Sequence, residues 1–171
     1  MKFFNKVMFL CILLSMNLLI RCNLVSTKNK LSSEKPKDFN FIFSYGVGSK
    51  NKLDTLTSNY TKDMITEPSV STKIELSNED IDTIYSEMRR INILDYPDNF
   101  ETENNDIQTP YYTYNLKIII NGIEKNIYWE DKSKSKSEKA IQLRELFNKI
   151  QKVIESTEEY KKLPKVKGGY E

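Results

Sequence analysis

The sequence predicts an α+β domain: an antiparallel sheet of about five strands with two helices packed on one face, in the order β-β-β-α-β-β-α. Three observations point to it. Apolar and polar residues alternate from Asp38 to Val47 and again from Ser69 to Leu76, the period of a half-buried strand. Asn121-Gly122 separates two β-rich runs, the strongest short hairpin signal. Two apolar stripes at helical spacing each follow a serine with an acidic residue three positions on.

The elements follow in order. Phe39, Phe41, Phe43 and Tyr45 share one strand face, with Asn40, Ile42 and Ser44 on the other. Gly46 and Gly48 supply a turn, and Lys52 to Leu56 returns as a short strand. Ser58 to Pro68 has no clear period. Val70, Thr72, Ile74 and Leu76 line one face of a third strand. Ser77 and Asp80 form a capping-box pattern before the stripe Ile81, Ile84, Tyr85, Met88 and Ile91, and Arg89 and Arg90 suit the helix C-terminus. The Asn-Gly turn sets a register in which Ile120 opposes Ile123, Ile118 opposes Lys125, Leu116 opposes Ile127 and Tyr114 opposes Trp129. Ser135 and Glu138 form a second capping pattern, and the helix that follows should run to about Tyr160 with Leu143, Leu146, Phe147, Ile150, Val153 and Ile154 inward.

The domain is expected to span 38–163, with a C-terminal tail at 164–171. Before it, Lys2 and Lys6 precede an apolar run from Val7 to Ile20, the pattern of an export signal, and the run is short for a membrane span. Residues 1–22 therefore read as a signal peptide or lipoprotein signal. Three outcomes stay open: lipidation at Cys22, with Leu19 and Cys22 in lipobox positions and Arg21 departing from the pattern; cleavage nearby, after Ser26; or an uncleaved anchor. Asn23 to Lys37 is polar and aperiodic, a flexible tether of ~20 Å reach. The expected address is the extracytoplasmic face of the cell membrane, lipid-anchored, or secretion, with the membrane as partner through the N-terminus.

Composition narrows the function. Lys2, Lys6 and Arg21 lie in the first 22 positions, where no acid occurs, leaving 23 of the 26 basic residues against 24 acidic ones. No basic excess remains for a phosphate backbone, so no nucleic-acid partner is expected. The chain has no histidine, and its two cysteines, Cys11 and Cys22, precede the domain. The usual general base, thiolate nucleophile and zinc ligands are therefore missing, and no catalytic residue, metal or cofactor is assigned. The acidic stretch with Asp95, Asp98, Glu101, Glu103 and Asp106 lacks the spacing of a calcium loop and reads as solvated. Lys132, Lys134, Lys136 and Lys139 read as an ordinary basic loop. Of the aromatics near the open end of the hairpin, Tyr114 and Trp129 read as core partners, and Tyr111 and Tyr128 as the possible binding surface.

The segments FSYGVGSKNKLDT, YTKDMI, IYSEMRRINILDYPDNF and EEYKKLPKVKGGY resemble an uncharacterised extracytoplasmic module of Gram-positive bacterial lipoproteins. They also resemble the extracellular regions of membrane metallopeptidase-type antirepressors. The resemblance covers about residues 38–171 and brings no catalytic motif; the zinc motif is absent, so metallopeptidase activity does not carry over. It implies an accessory or sensing domain. The expected function is an exported or lipid-anchored, non-enzymatic binding or sensing domain with a protein or cell-envelope partner. The alternatives are an immunity or inhibitor protein that caps a protein partner with its open sheet face, and a secreted hydrolase working through carboxylates.

Overall fold

The computed structural model describes residues 30–102 and 107–171. The signal, Cys22 and residues Glu103 and Asp106 lie outside the described residues. Among the described residues no helix is long and apolar enough to cross a membrane.

The fold is α+β. The chain runs β1 (Asn40–Tyr45), β2 (Asn51–Asp54), β3 (Asn59–Met64), β4 (Glu67–Lys73), α1 (Asn78–Arg90), β5 (Asn99–Phe100), β6 (Tyr112–Ile120), β7 (Ile123–Asp131), α2 (Glu138–Ser156) and the short α3 (Glu158–Lys161). One sheet holds seven strands in the order β4-β3-β2-β1-β6-β7-β5. This corrects the expectation of about five antiparallel strands in two respects. The aperiodic stretch after Ser58 contains β3, whose inward side carries a buried lysine, so its apolar alternation is broken. The acidic stretch contributes β5, a two-residue strand that pairs parallel to β7 and makes the sheet mixed.

The hairpin has the expected register, from Ile120↔Ile123 through Tyr114↔Trp129. Asn121 and Gly122 both take positive φ, 49° and 71°, as a type I′ turn requires. The Gly122 amide donates to Asp38 Oδ2 at 2.8 Å, and backbone donation from Asn121 first, then Gly122, holds the Asp38 carboxyl below its usual range.

Phe39, Phe41, Phe43 and Tyr45 are all buried, as are Leu116, Ile118, Ile127 and Trp129. Both helices pack on this face. Phe147 of α2 lies 5.1 Å from Phe43 and 4.7 Å from Tyr114, and Tyr85 of α1 meets Phe39 edge-on at 4.9 Å, centroid to centroid. Trp129 is fully enclosed, with Phe100 of β5 edge-on at 5.3 Å. Ile123 shares the apolar face but sits at the turn and is exposed.

The capping box of α1 is complete: the Asp80 amide donates to Ser77 Oγ at 3.1 Å, and the Ser77 amide to Asp80 Oδ2 at 3.3 Å. The second helix is capped by Ser137 rather than Ser135; Ser137 Oγ accepts from the Ala140 amide, and Ser135 Oγ accepts from the Ser137 amide one step earlier. The helix stops at Ser156 because Thr157 turns extended and caps α3. Arg144 donates to both Asp131 oxygens at 2.6 Å and to the Ser135 carbonyl at 2.5 Å, with its guanidinium 5.1 Å from the Trp129 ring.

Two flanking stretches pack on the domain. Leu31, in the stretch read as a tether, is buried, and Tyr85 Oη donates to the Ser32 carbonyl at 2.9 Å. The segment 164–171, read as a tail, lies against the β3–β4 turn.

Candidate functional site

The helices occupy one face of the sheet, and the pairing shows what lies on the other. Ile42 opposes Lys117 and Asp54; Ser44 opposes Asn115 and Lys52; Asn115 in turn opposes Tyr128. Directly opposed residues share a face. These seven are half-buried or exposed, and none is buried. The face is thus polar, with Ile42 and Ile119 as an apolar centre and tyrosines toward the β7–β5 edge.

Tyr128 is 39% exposed and lies on this open face. Tyr111 precedes β6 and is half-buried. The structure brings both candidates to one carboxylate, that of Glu130, two residues along β7 from Tyr128 and therefore on the same face. Tyr111 Oη donates to Glu130 Oε1 at 3.5 Å. Lys132 Nζ lies 2.6 Å from Glu130 Oε2 and 5.2 Å from the centre of the Tyr111 ring. The Lys132 hydrogen bond holds Glu130 below the usual carboxylate range, and the same bond raises Lys132. Partial burial, then the neighbouring Glu130, pushes the Tyr128 phenol up. An open depression of about 290 Å³ beside this cluster is lined by Asn99, Phe100, Glu101, Thr102, Tyr128, Glu130 and Lys132.

Glu130 and Lys132 were not among the site residues the sequence suggested. The period of two along β7 puts Tyr128 and Glu130 together, so Glu130 was legible once Tyr128 had been chosen. Lys132 lies just past the strand, and the close contact with Glu130 follows from the bend of the chain there. Tyr114 and Trp129 are core partners, as expected, with ring centres 5.8 Å apart. In the acidic stretch, Asp98 pairs with Lys125 at 2.5 Å, and among the described residues no three metal-ligating side chains converge.

The cluster offers two phenols, an ion-paired carboxylate, an ammonium group and aromatic surface. Those groups suit recognition by hydrogen bonding and stacking. Glu101 and Glu130 both border the depression, which raises the question of carboxylate catalysis. A carboxyl serving as general acid needs its pKa raised, and Lys132 drives Glu130 the other way.

Comparison with protein-family models, with curated proteins and with solved structures finds no match.

Proposed function

We propose that this chain is an exported or lipid-anchored, non-enzymatic domain that binds a protein or cell-envelope partner through the open face of its sheet. The observation that carries this reading is the one-sidedness of the fold: two helices on one sheet face, and a face of mixed polar, aliphatic and tyrosyl character opposite them. A surface with Tyr128 and Tyr111 around an ion-paired Glu130 has the makings of a recognition patch, since tyrosine brings large contact area at small entropy cost. The capping of a partner, as an immunity or inhibitor protein does, would use the same face. The export signal and Cys22 supply the address in this reading.

Replacing Tyr128 with a photo-crosslinking amino acid in cells that export the chain tests it. A discrete adduct from position 128, with none from the same residue placed at Lys152 on the exposed side of α2, is the expected result. Equal adducts from both positions, or none from Tyr128, would overturn the proposal.

A further inference from the structure

Among the described residues three polar or charged side chains are buried, and two of them, Lys62 and Asp63, are neighbours on β3. Burying a charge is costly unless it is compensated, so their partners matter. Lys62 Nζ donates to the Pro164 carbonyl at 2.9 Å and lies 4.6 Å from the centre of the Tyr160 ring. The Asp63 carboxylate accepts a short hydrogen bond from Tyr170 Oη through Oδ2, and the Ile65 amide donates to its other oxygen at 3.1 Å. Tyr170 Oη in turn accepts from Lys50 Nζ at 2.9 Å, and Lys50 sits 4.9 Å from the centre of that ring. The main compensation for both buried charges thus comes from about a hundred residues downstream, from a segment that read as a plain tail.

The segment is held as a ligand would be. Lys167 bridges Ile65 in parallel, and Thr66 Oγ1 donates to the Lys167 carbonyl at 3.2 Å. Gly168 has φ +82°, and a Cβ there would stand 2.9 Å from Thr66 Cγ2, so any other residue would be strained and would have to displace Thr66. Ile65, on the domain side, takes φ 63°, an outlying conformation for a β-branched residue and the kind of strain that gathers at ligand clamps. A backbone bridge and an anchoring side chain are elements shared with peptide recognition at a sheet edge.

We propose that Lys50, Asp63, Ile65 and Thr66 form a peptide-binding slot, that residues 164–171 are its resident ligand, and that a Gly-Gly-Tyr segment of a partner protein enters when this segment lets go. The slot is at the β3–β4 end of the sheet, and its assignment is independent of the open face. Tethering gives the resident segment an effective concentration on the order of millimolar, so a free peptide competes poorly with it. A substitution that expels the resident segment without touching the slot makes the site available.

Gly168→Val does this, by the contact with Thr66 and by its positive φ. The probe is a fluorescent, end-capped peptide of sequence PKVKGGYE, titrated against the full chain. Binding to the Gly168→Val chain at least tenfold tighter than to the unaltered chain is expected, with amide shifts at Ile65 and Thr66. The same peptide with phenylalanine for tyrosine should bind about tenfold more weakly, the loss of one hydrogen bond to a charged group. Tyr170→Ala is a second way to free the slot and should behave like Gly168→Val. Equal binding to the altered and unaltered chains, no binding to either variant while circular dichroism shows the domain folded, or indifference to the tyrosine hydroxyl would each overturn the proposal.

Discussion

Gly122→Val tests the hairpin on which the sheet is built. Gly122 has φ +71°, and an added Cβ would meet nothing within 4 Å. The substitution therefore introduces no clash with a neighbour, and its whole effect is backbone strain. For an L-residue that strain is ~1–2 kcal/mol, with a β-branched side chain at the upper end. In a domain of this size 1 kcal/mol moves the melting temperature by about 2–4 °C, so a fall of about 2–8 °C is expected. Register should survive, because a one-residue slip would turn Leu116, Ile118 and Trp129 outward from a core in which all three are fully enclosed. The assay is thermal melting followed by circular dichroism and by the emission of Trp129, the single tryptophan. Blue-shifted native emission in both proteins and an earlier transition in the variant are expected. An unchanged melting temperature would refute the strain argument, and red-shifted native emission would refute the placement of Trp129 in the core.

Three further outcomes are expected. Arg144→Ala leaves the Asp131 carboxylate, 10% exposed, without its paired donors; the urea midpoint should report a loss of ~2–3 kcal/mol, with Arg144→Lys less damaging, and a change within about 0.5 kcal/mol would contradict the role given to this pair. Burial raises the phenols of Tyr45, Tyr60 and Tyr114, and pushes Tyr96 up to about 12, whereas an unfolded tyrosine titrates near ~10. The folded chain then holds more protons than the unfolded one above pH ~10, so stability is intact below that value and falls as pH rises from ~10 through about 12; phenolate absorbance of the buried set should appear together with loss of near-ultraviolet dichroism, and ionisation of every tyrosine near pH 10 with the fold intact would contradict it. If Cys22 is acylated, as the lipoprotein alternative of the proposal has it, Cys22→Ser should move the protein from the membrane fraction to the medium or leave it unprocessed; an unchanged membrane fraction with intact Cys22 in the mature mass would end the lipoprotein reading.

The parts of the fold legible in the sequence are those set by local chemistry. Asn121-Gly122 determines a register by turn geometry alone, and Ser77 with Asp80 marks a helix start by hydrogen bonds within four residues. The alternation of Phe39 to Tyr45 needs only the period of a strand. What escaped depends on distant partners. β3 is concealed because Lys62 and Asp63 occupy buried positions, and their main compensation comes from Pro164, Tyr160 and Tyr170. β5 is two residues long and is a strand only because β7 accepts it, with the Tyr128 amide donating to the Asp98 carbonyl at 2.7 Å. In the candidate site, Tyr128 follows from alternation along β7. The convergence of Tyr111 and Lys132 on Glu130 depends on how the chain bends outside both strands.

The most direct test of the open-face proposal is a lysine acetylation footprint taken in the intact cell envelope and on the purified chain. Lys52 and Lys117 lie on the open sheet face, and Lys152 is exposed on α2. If the open face is where a partner docks, Lys52 and Lys117 react several-fold more slowly in the envelope than in the purified protein, while Lys152 reacts alike in both. Equal reactivity of Lys52 and Lys117 in the two settings, or protection of Lys152 alone, would contradict the proposal and move the binding surface elsewhere.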